Sequence, residues 1–523
     1  MTAQRKVDDV EHQAARGETS RPVIWGTQGI VSSGHSLTSM AAMRMLLSGG
    51  NAFDAAVAAG FAAAVIEPTA AYSLAAEGSI LLYHAASREL KAVSGQGVAP
   101  KGATVDFFKK RGFDKIPTGP GPDAHLSFTV PGVVDAYFKI LETYGTKSLT
   151  EVLAPSIHYA EHGFPMYESM YRILQTPGTI EHFQLYPPGG AEIFFPNGKT
   201  PRVGQRFVQR ELGATLKKLV EAERSAPGTR LAGLRAARDR FYLGDIAQTI
   251  ANFSKKVGGL LDLEDLANYQ AKFEVPISTT FAGYEICGQS TWTQGAVLLQ
   301  SLNILESFDL KAMGHNSTPY IHTVTEAIKL AFADRERYYG DPNFARVPIS
   351  GLLSKEYAAE RSRLIKPDKA YPELPPSGNP WRYDNGEVHA TAPSIPAMRR
   401  EKEVAAGADG GTTHLAVIDR DGNMICMTPS GGSFRKSAFI PEIGCALSTR
   451  IEMFFVDADH PNEIQPGKRP RTTLVNYMVC RDGEPIMTIG CPGGDNQAQA
   501  NLQLILNVLV FGMNPQEAVE APR

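Results

Sequence analysis

Cysteine is scarce in this chain of 523 residues. There are five, Cys287, Cys426, Cys445, Cys480 and Cys491, an odd number with no CxxC pair. That argues against a disulfide scaffold or a zinc ribbon and leaves room for a single bridge. Long apolar runs are missing too. The longest, residues 55–66, is rich in alanine and too short to span a bilayer comfortably. Residues 1–22 are polar and charged, without the apolar centre of a secretory signal, so a cytoplasmic protein with no membrane partner is expected. Charge of one sign is also lacking. The formal net charge is -3 and no long basic block occurs, which argues against a nucleic-acid partner. No short tandem repeat and no heptad run is visible. What is present is 43% hydrophobic content. At this length it suffices for a sizeable core, as one large domain or two intertwined lobes.

The pattern alternates helical and extended stretches. Residues 38–48 read as a helix rich in small residues and methionine, ended by Gly49-Gly50 because glycine adopts the left-handed C-cap conformation. Asn51 or Asp54 can cap a second helix running to Val65, with Pro68 as its stop. Residues 79–84 and 90–93 read as a strand pair. Helices are expected over 133–144, 149–162, 208–224, 245–256, 294–305 and 317–338. Residues 366–411, with many prolines and a charged run at 399–403, read as a mobile exposed segment. Beyond it, 413–418 and 424–428 flank an Asp421-Gly422 turn, and 477–479 and 486–489 flank Asp482-Gly483, which predicts two β-hairpins. Helices on strands, with hairpins behind a break, suggest a layered α/β (α+β) arrangement.

Three fragments can carry chemistry. The first is Gly410-Gly411-Thr412-Thr413. A threonine hydroxyl is a poor nucleophile unless a base lies beside it. Cleaving the bond after Gly411 would free an α-amine on Thr412 itself, with a pKa near ~8 that suits proton transfer at neutral pH. Taken alone, the fragment is more simply an ordinary entry into a strand, because threonine is common at strand starts. The second is Gly490-Cys491-Pro492-Gly493-Gly494-Asp495, whose glycine pair exposes N–H groups suited to an oxyanion, or forms a plain strand-to-helix turn. It lacks the GK[ST] ending of a phosphate loop. The third, residues 466–473, offers basic residues and the hydroxyls of Thr472 and Thr473 to a substrate carboxylate, or is a solvated surface turn. His35, His125 and His414 have no partner at metal spacing, so no metal site and no cofactor are expected. Asp334 to Arg337 lie in a helix and suit structural ion pairs, and Met43 and Met45 suit core packing.

These fragments stand in one order with GGNAFDAAVAAGFAAAV (49–65), VPGVVDAYFKILETYGT (130–146), FYLGDIAQTIA (241–251), GGLLDLEDLANYQ (258–270), AFADRERYYGDPNF (331–344), TTHLAVIDRDGN (412–423), PGKRP (466–470) and GCPGG (490–494). From about Gly29 to Arg523 the chain resembles the gamma-glutamyltransferase (gamma-glutamyltranspeptidase) family of N-terminal-nucleophile (Ntn) hydrolases. The resemblance implies a four-layer αββα Ntn-hydrolase sandwich. It implies a precursor that cuts itself into a large subunit, 1–411, and a small subunit, 412–523. Thr412 would attack an amide carbonyl of a small molecule and form an acyl-enzyme. Gly493 and Gly494 would supply oxyanion N–H groups, and Thr428 and Ser430 would steady the α-amine. Thr472 and Thr473 stand where the family has a serine pair on the substrate carboxylate. The two subunits would be partners, with assembly into a higher oligomer left open. The family continues some tens of residues beyond Arg523, so the small subunit reads as shortened.

The departures concern specificity. Gln96 stands where the family has the arginine that clamps a glutamyl α-carboxylate. Met453, with Glu452 beside it, stands at the acidic residue for the substrate amino group, and Gly432 at an asparagine. The glycine-rich stretch after Pro68 is thinned to Ala75-Ala76-Glu77-Gly78. Glutamine cannot replace the charge of a bidentate arginine, and losing charged contacts worth ~1.5–3 kcal/mol each weakens zwitterion recognition. Arg450 or Lys468 could receive an acidic substrate from another side. The favoured expectation is an amide hydrolase with a non-glutamyl or relaxed acyl pocket. A true gamma-glutamyl hydrolase or transpeptidase on glutathione-like compounds, and a non-processing scaffold, are the alternatives.

Overall fold

The strands of two antiparallel sheets are β1 (Gly29–Ser33), β2 (Glu77–His84), β3 (Glu89–Gly95), β4 (Lys272–Glu274), β5 (Ile277–Phe281), β6 (Tyr284–Gly288), β7 (Leu415–Asp419), β8 (Met424–Ser430), β9 (Tyr477–Arg481) and β10 (Glu484–Ile489). The first sheet has the order β1-β7-β8-β2-β3-β4 and the second β10-β9-β6-β5. This is a computed structural model, and it describes residues 19–185, 189–384, 411–432, 434, 436 and 438–523. The expected mobile segment therefore lies, from 385 to 410, outside the described residues, as do Gly410 and residues 1–18.

Side-chain alternation sets the layers. Successive residues of a strand face opposite ways. Ile80 and Leu82 of β2, Leu415 and Val417 of β7, and Ile425 and Met427 of β8 join one core with α1 (Ser36–Leu47), α2 (Ala52–Ile66), α3 (Val133–Tyr144) and α4 (Leu149–His162). Their neighbours Leu81, Tyr83, Met424 and Cys426 turn the other way and pack with Met478 of β9. Tyr477 and Val479 of β9 then face a second helix layer of α5 (Gly295–Leu305), α6 (Thr318–Tyr338) and α7 (Asn496–Leu509). The order is helix, sheet, sheet, helix, the αββα sandwich that the resemblance implied.

The helix α2 is buried along its whole length. Asn51 caps it by accepting from the N–H groups of Phe53 and Asp54, and Asp54 returns a bond to the Asn51 N–H. Such a reciprocal cap contributes about 1 kcal/mol. The second hairpin turns through Asp482 and Gly483, both at positive φ, as a two-residue turn between right-twisted strands requires. All five cysteines are free thiols. Among the described residues no helix is long and apolar enough to cross a membrane.

Candidate active site

At one end of the first sheet the apolar alternation gives way to two polar rows. Ser430 pairs with Glu77 across β8 and β2, and Thr428 pairs with Ser79, which pairs with Ser94 of β3. Continuing the registers past the strand ends sets His414 beside Thr428 and Gln96 beside Glu77 after one step, and Thr412 beside Ser430 after three. The first row thus reads Thr412, Ser430, Glu77, Gln96. At ~4.8 Å per strand, Gln96 stands three strands from Thr412. The second row reads His414, Thr428, Ser79, Ser94. These side chains share the parity of Leu81 and Cys426 and face the second sheet.

Thr412 is buried. Its Oγ1 donates to the carbonyl oxygen of Gly411 at 2.8 Å and lies 3.3 Å from Ser430 Oγ. Ser430 Oγ also donates to the Gly411 carbonyl at 3.2 Å and accepts from Arg450 Nη2 at 2.8 Å. Arg450 Nε in turn donates to the fully buried Glu77 at 2.6 Å, and Ser448 donates to the same carboxylate. Burial pushes the Glu77 carboxyl up, against the pull of Arg450 and Ser448. Gly411 has no room for a side chain, because a Cβ there would lie 2.4 Å from the Ala70 carbonyl carbon. On the opposite face, Thr413 and Thr38 both donate to Glu67. Burial raises that carboxyl too, and the two hydroxyls lower it.

The second row locks the sheets together. Asn476, just before β9, donates to Ser79 O at 2.7 Å and accepts from Thr428 Oγ1 at 2.5 Å. Thr428 is completely buried and is also 2.9 Å from His414 Nδ1. It makes no bond to Thr412. Burial drives the His414 pKa down to about 4, so the ring is neutral at physiological pH. The same ring covers Gly490, where a Cβ would lie 2.2 Å from it. That contact brings the turn after β10 to the end of the first sheet that holds Thr412.

Gly493 and Gly494 follow, with φ of 126° and 57°, a backbone path open to glycine and strained for other residues. Their carbonyls accept from Asn496 N and Gln497 N at the start of α7. A peptide unit is planar and trans, so a Gly493 carbonyl turned to the helix leaves the Gly494 N–H turned away from it. Thr472 and Thr473 run into β9 alongside. Thr472 is buried and its Oγ1 accepts from Leu474 N at 3.4 Å, while Thr473 is half-buried and its hydroxyl has no hydrogen-bond partner among the described residues.

The remaining candidates are placed as follows. Gln96 is 1% exposed and its Oε1 has no hydrogen-bond partner. Arg450 is ion-paired to Glu77 through Nε. Glu452 accepts from Lys436 Nζ at 2.9 Å and from Thr118. The Met453 sulfur is 3.5 Å from Arg450 Nη1. Lys468 is buried, with no ion pair among the described residues, and burial lowers its pKa. Glu77, Asn476 and Gln294 also belong to the site and lie outside the three fragments. The signal was there for the first: a glutamate at a strand start, on the inward parity, in line with Ser79 and Leu81. Among the described residues no group of three His, Cys, Asp or Glu side chains could hold a metal ion.

Comparison with known proteins bears on this geometry. The model of the gamma-glutamyltranspeptidase family matches residues 38–523. The glutathione hydrolase-like YwrD proenzyme of Bacillus subtilis (strain 168) is 34% identical over 501 residues, 96% of this chain and 85% of that one. The solved structure of LmbA2991HD aligns with a TM-score of 0.84 at 38% identity, over 97% of this chain and 86% of that one. That of cephalosporin acylase from Bacillus halodurans aligns with a TM-score of 0.81 at 29% identity, over 98% and 86%. The sandwich is therefore the Ntn-hydrolase fold, and the chain is an enzyme of the amide-hydrolysing and acyl-transferring class. It belongs to the gamma-glutamyltranspeptidase family.

Proposed function

We propose that the chain cleaves itself between Gly411 and Thr412, and that Thr412 is then the nucleophile of a hydrolase for small-molecule amides whose acyl group is not glutamyl. The position of the Thr412 hydroxyl carries this reading: it rests on the carbonyl of the bond to be cut, 2.8 Å from that oxygen. Oγ1 adds to the Gly411 carbonyl carbon and the C–N bond to Thr412 breaks, leaving an ester. The Oγ1 proton passes to the departing nitrogen, which becomes the Thr412 α-amine, and water then hydrolyses the ester, freeing the Gly411 carboxylate and the Thr412 hydroxyl. The products are a large subunit, 1–411, and a small subunit beginning at Thr412.

The new amine is the base for turnover. It takes the Oγ1 proton as Oγ1 adds to a substrate carbonyl, and passes it to the departing amine. Water, or a second amine, then releases the acyl group from Thr412. Ser430, held by Arg450, steadies the α-amine, and the adjacent guanidinium disfavours its protonated form. Thr428 acts one row back, fixing His414 against Gly490. The N–H groups of Gly493 and Gly494 receive the oxyanion, and Thr472 and Thr473 contact the substrate. Non-glutamyl specificity rests on Gln96 in place of a cation, on Met453 in place of an acid, and on Arg450 being held by Glu77. Relatives named as a glutathione hydrolase-like proenzyme and as a cephalosporin acylase are consistent with a scaffold that accepts different acyl groups.

Denaturing gels with N-terminal sequencing test the first step, and a panel of acyl amides that includes a gamma-glutamyl anilide tests the second. Two fragments are expected, the smaller starting at Thr412, with better turnover of a non-glutamyl amide. Thr412→Ala should abolish cleavage and lower turnover by ~10³-fold or more. An uncut single band from the purified wild-type protein would remove the enzyme mechanism. Preferred turnover of the anilide would restore glutamyl specificity.

A further inference from the structure

Residues 472–476 lead into β9 but lie beyond the sheet's own ladder, so their backbone groups need other partners. Side-chain amides supply them. Gln497 Oε1 accepts from Val475 N at 3.1 Å, and Gln289 Oε1 accepts from Asn476 N at 3.0 Å. Gln294 does something different. Its Nε2 donates to Thr473 O at 2.7 Å and to Gly494 O at 2.9 Å, so one amide joins the Thr472-Thr473 segment to the Gly493-Gly494 turn. Gln294 is fully buried, at the start of α5. On its other side Arg335 Nη1 donates to Oε1 at 3.2 Å. Two carbonyls on one flank and a guanidinium on the other leave a single orientation for this amide. Arg335 is itself fixed by Asp495, the residue after Gly494, at 2.5 and 3.0 Å, and by Glu336.

Two peptide planes are set by these bonds. Pinning the Thr473 carbonyl fixes the Leu474 N–H on the opposite side, and that N–H donates to the Thr472 hydroxyl. Pinning the Gly494 carbonyl fixes the Gly494-Asp495 plane at the end of the glycine turn. Among the described residues no other side chain bonds to both segments. We propose that Gln294 is a positioning residue for acyl transfer: it holds the oxyanion turn and the Thr472 hydroxyl in register with each other. The proposal rests on Thr412 being the nucleophile and on Gly493 and Gly494 being the oxyanion donors.

Self-cleavage separates this role from a merely structural one, because the Gly411 carbonyl is engaged by Thr412 and Ser430 and not by the glycine turn. Gln294→Met keeps the length of the side chain and removes every hydrogen bond. Gln294→Glu keeps the shape and turns the donor into an acceptor facing two carbonyls. For both, the expected result is a kcat about tenfold or more below wild type on the best amide of the panel. The fraction cut at Thr412 should match wild type, and both variants should remain folded at the assay temperature, with only a modest fall in melting temperature from the carbonyls left unpaired. A kcat within twofold of wild type in either variant would overturn the proposal. So would a loss of self-cleavage in proportion to the loss of turnover, since that reports general damage to the fold. A wild-type protein that neither cuts itself nor turns over any amide fails differently: it removes the nucleophile reading, and this inference with it.

Discussion

Arg450 and Gln294 each hold one side of the candidate site, and they do so with opposite chemistry. Arg450 ties the first-sheet side through charge: its guanidinium joins Ser430 to a carboxylate, Glu77, that has no contact with water. Gln294 ties the second-sheet side with a neutral amide shared between two carbonyls. A buried ion pair is costly to break from one side, because the survivor keeps its charge without a partner. A neutral amide leaves at most unpaired carbonyls, each a smaller penalty. The two hubs should therefore fail in different ways: damage at the first appears in folding, and damage at the second in rate.

Glu77→Ala is the strongest way to break that contrast. It strands the Arg450 guanidinium in a site that is 7% exposed, and about 3–5 kcal/mol of stability should be lost. Urea unfolding of the uncut Thr412→Ala background measures this without interference from self-cleavage. Adding Arg450→Leu to the same chain should recover much of the loss, because it removes the stranded charge. If Glu77→Ala costs less than about 1 kcal/mol, the pair is not the charged hub described here. If the double variant is no better than the single, the damage lies in packing and not in charge.

Acid offers a second, smaller probe of how the two sides are joined. The neutral ring of His414 sits between Thr428 and Gly490, and His460 is likewise pushed down to about 4 by burial. An unfolded histidine takes up its proton near pH 6.5, and these folded ones only near 4. The unfolded state therefore binds more protons in between. Their contribution to stability is complete above pH 6.5 and is lost as pH falls from 6.5 through 4. For His414 the span corresponds to roughly 3 kcal/mol at most, at 1.36 kcal/mol per pKa unit. Unfolding free energies at pH 7.5, 5.5 and 4.5 should fall in that order, and His414→Gln should flatten the slope by close to one proton. An unchanged slope in the variant would mean that His414 titrates normally and is not sealed against the glycine turn.

The sequence was legible where local rules decide, and opaque where distant segments meet. The bounds of α3 and α4 agree residue for residue with the pattern of apolar positions, and Asn51 and Asp54 share one cap instead of competing for it. The hairpin β5–β6 was not read, because its turn is Ala282-Gly283 and alanine gives no turn signal, although Ala282 adopts φ 51°. The strand β1 was missed as well: five residues, GIVSS, offer too short an alternation to register. In the candidate site, Thr412, Ser430, Gly493 and Gly494 stand in recognisable fragments. The role of Gln294 follows from bonds to residues 179 and 200 positions away, and no local pattern could announce it. Arg450 is the instructive case. Its charge was visible, but Glu77, which holds that charge, lies 373 residues earlier in the chain.

The mildest change sharpens the comparison from the acyl side. Gln96 ends the row that begins at Thr412, and its Oε1 is buried without a partner, so the side chain contributes little where it stands. Gln96→Arg would put a cation one strand beyond Glu77, and a carboxylate-bearing acyl group should gain from it. The gain is limited by two features of the site. Met453 supplies no charge for an amino group, and Glu77 is already engaged by Arg450 and Ser448. One charged contact of ~1.5–3 kcal/mol, reduced by the cost of desolvating the new guanidinium, leaves about tenfold or less in kcat/KM for a gamma-glutamyl anilide. Met453→Asp in the same chain should raise this further, because it gives the amino group a partner. Steady-state rates on the anilide and on the best non-glutamyl amide decide the matter. A folded, self-cleaved Gln96→Arg protein with no gain on the anilide would show that Gln96 does not border the acyl pocket. The specificity would then have to come from the side that Gln294 holds.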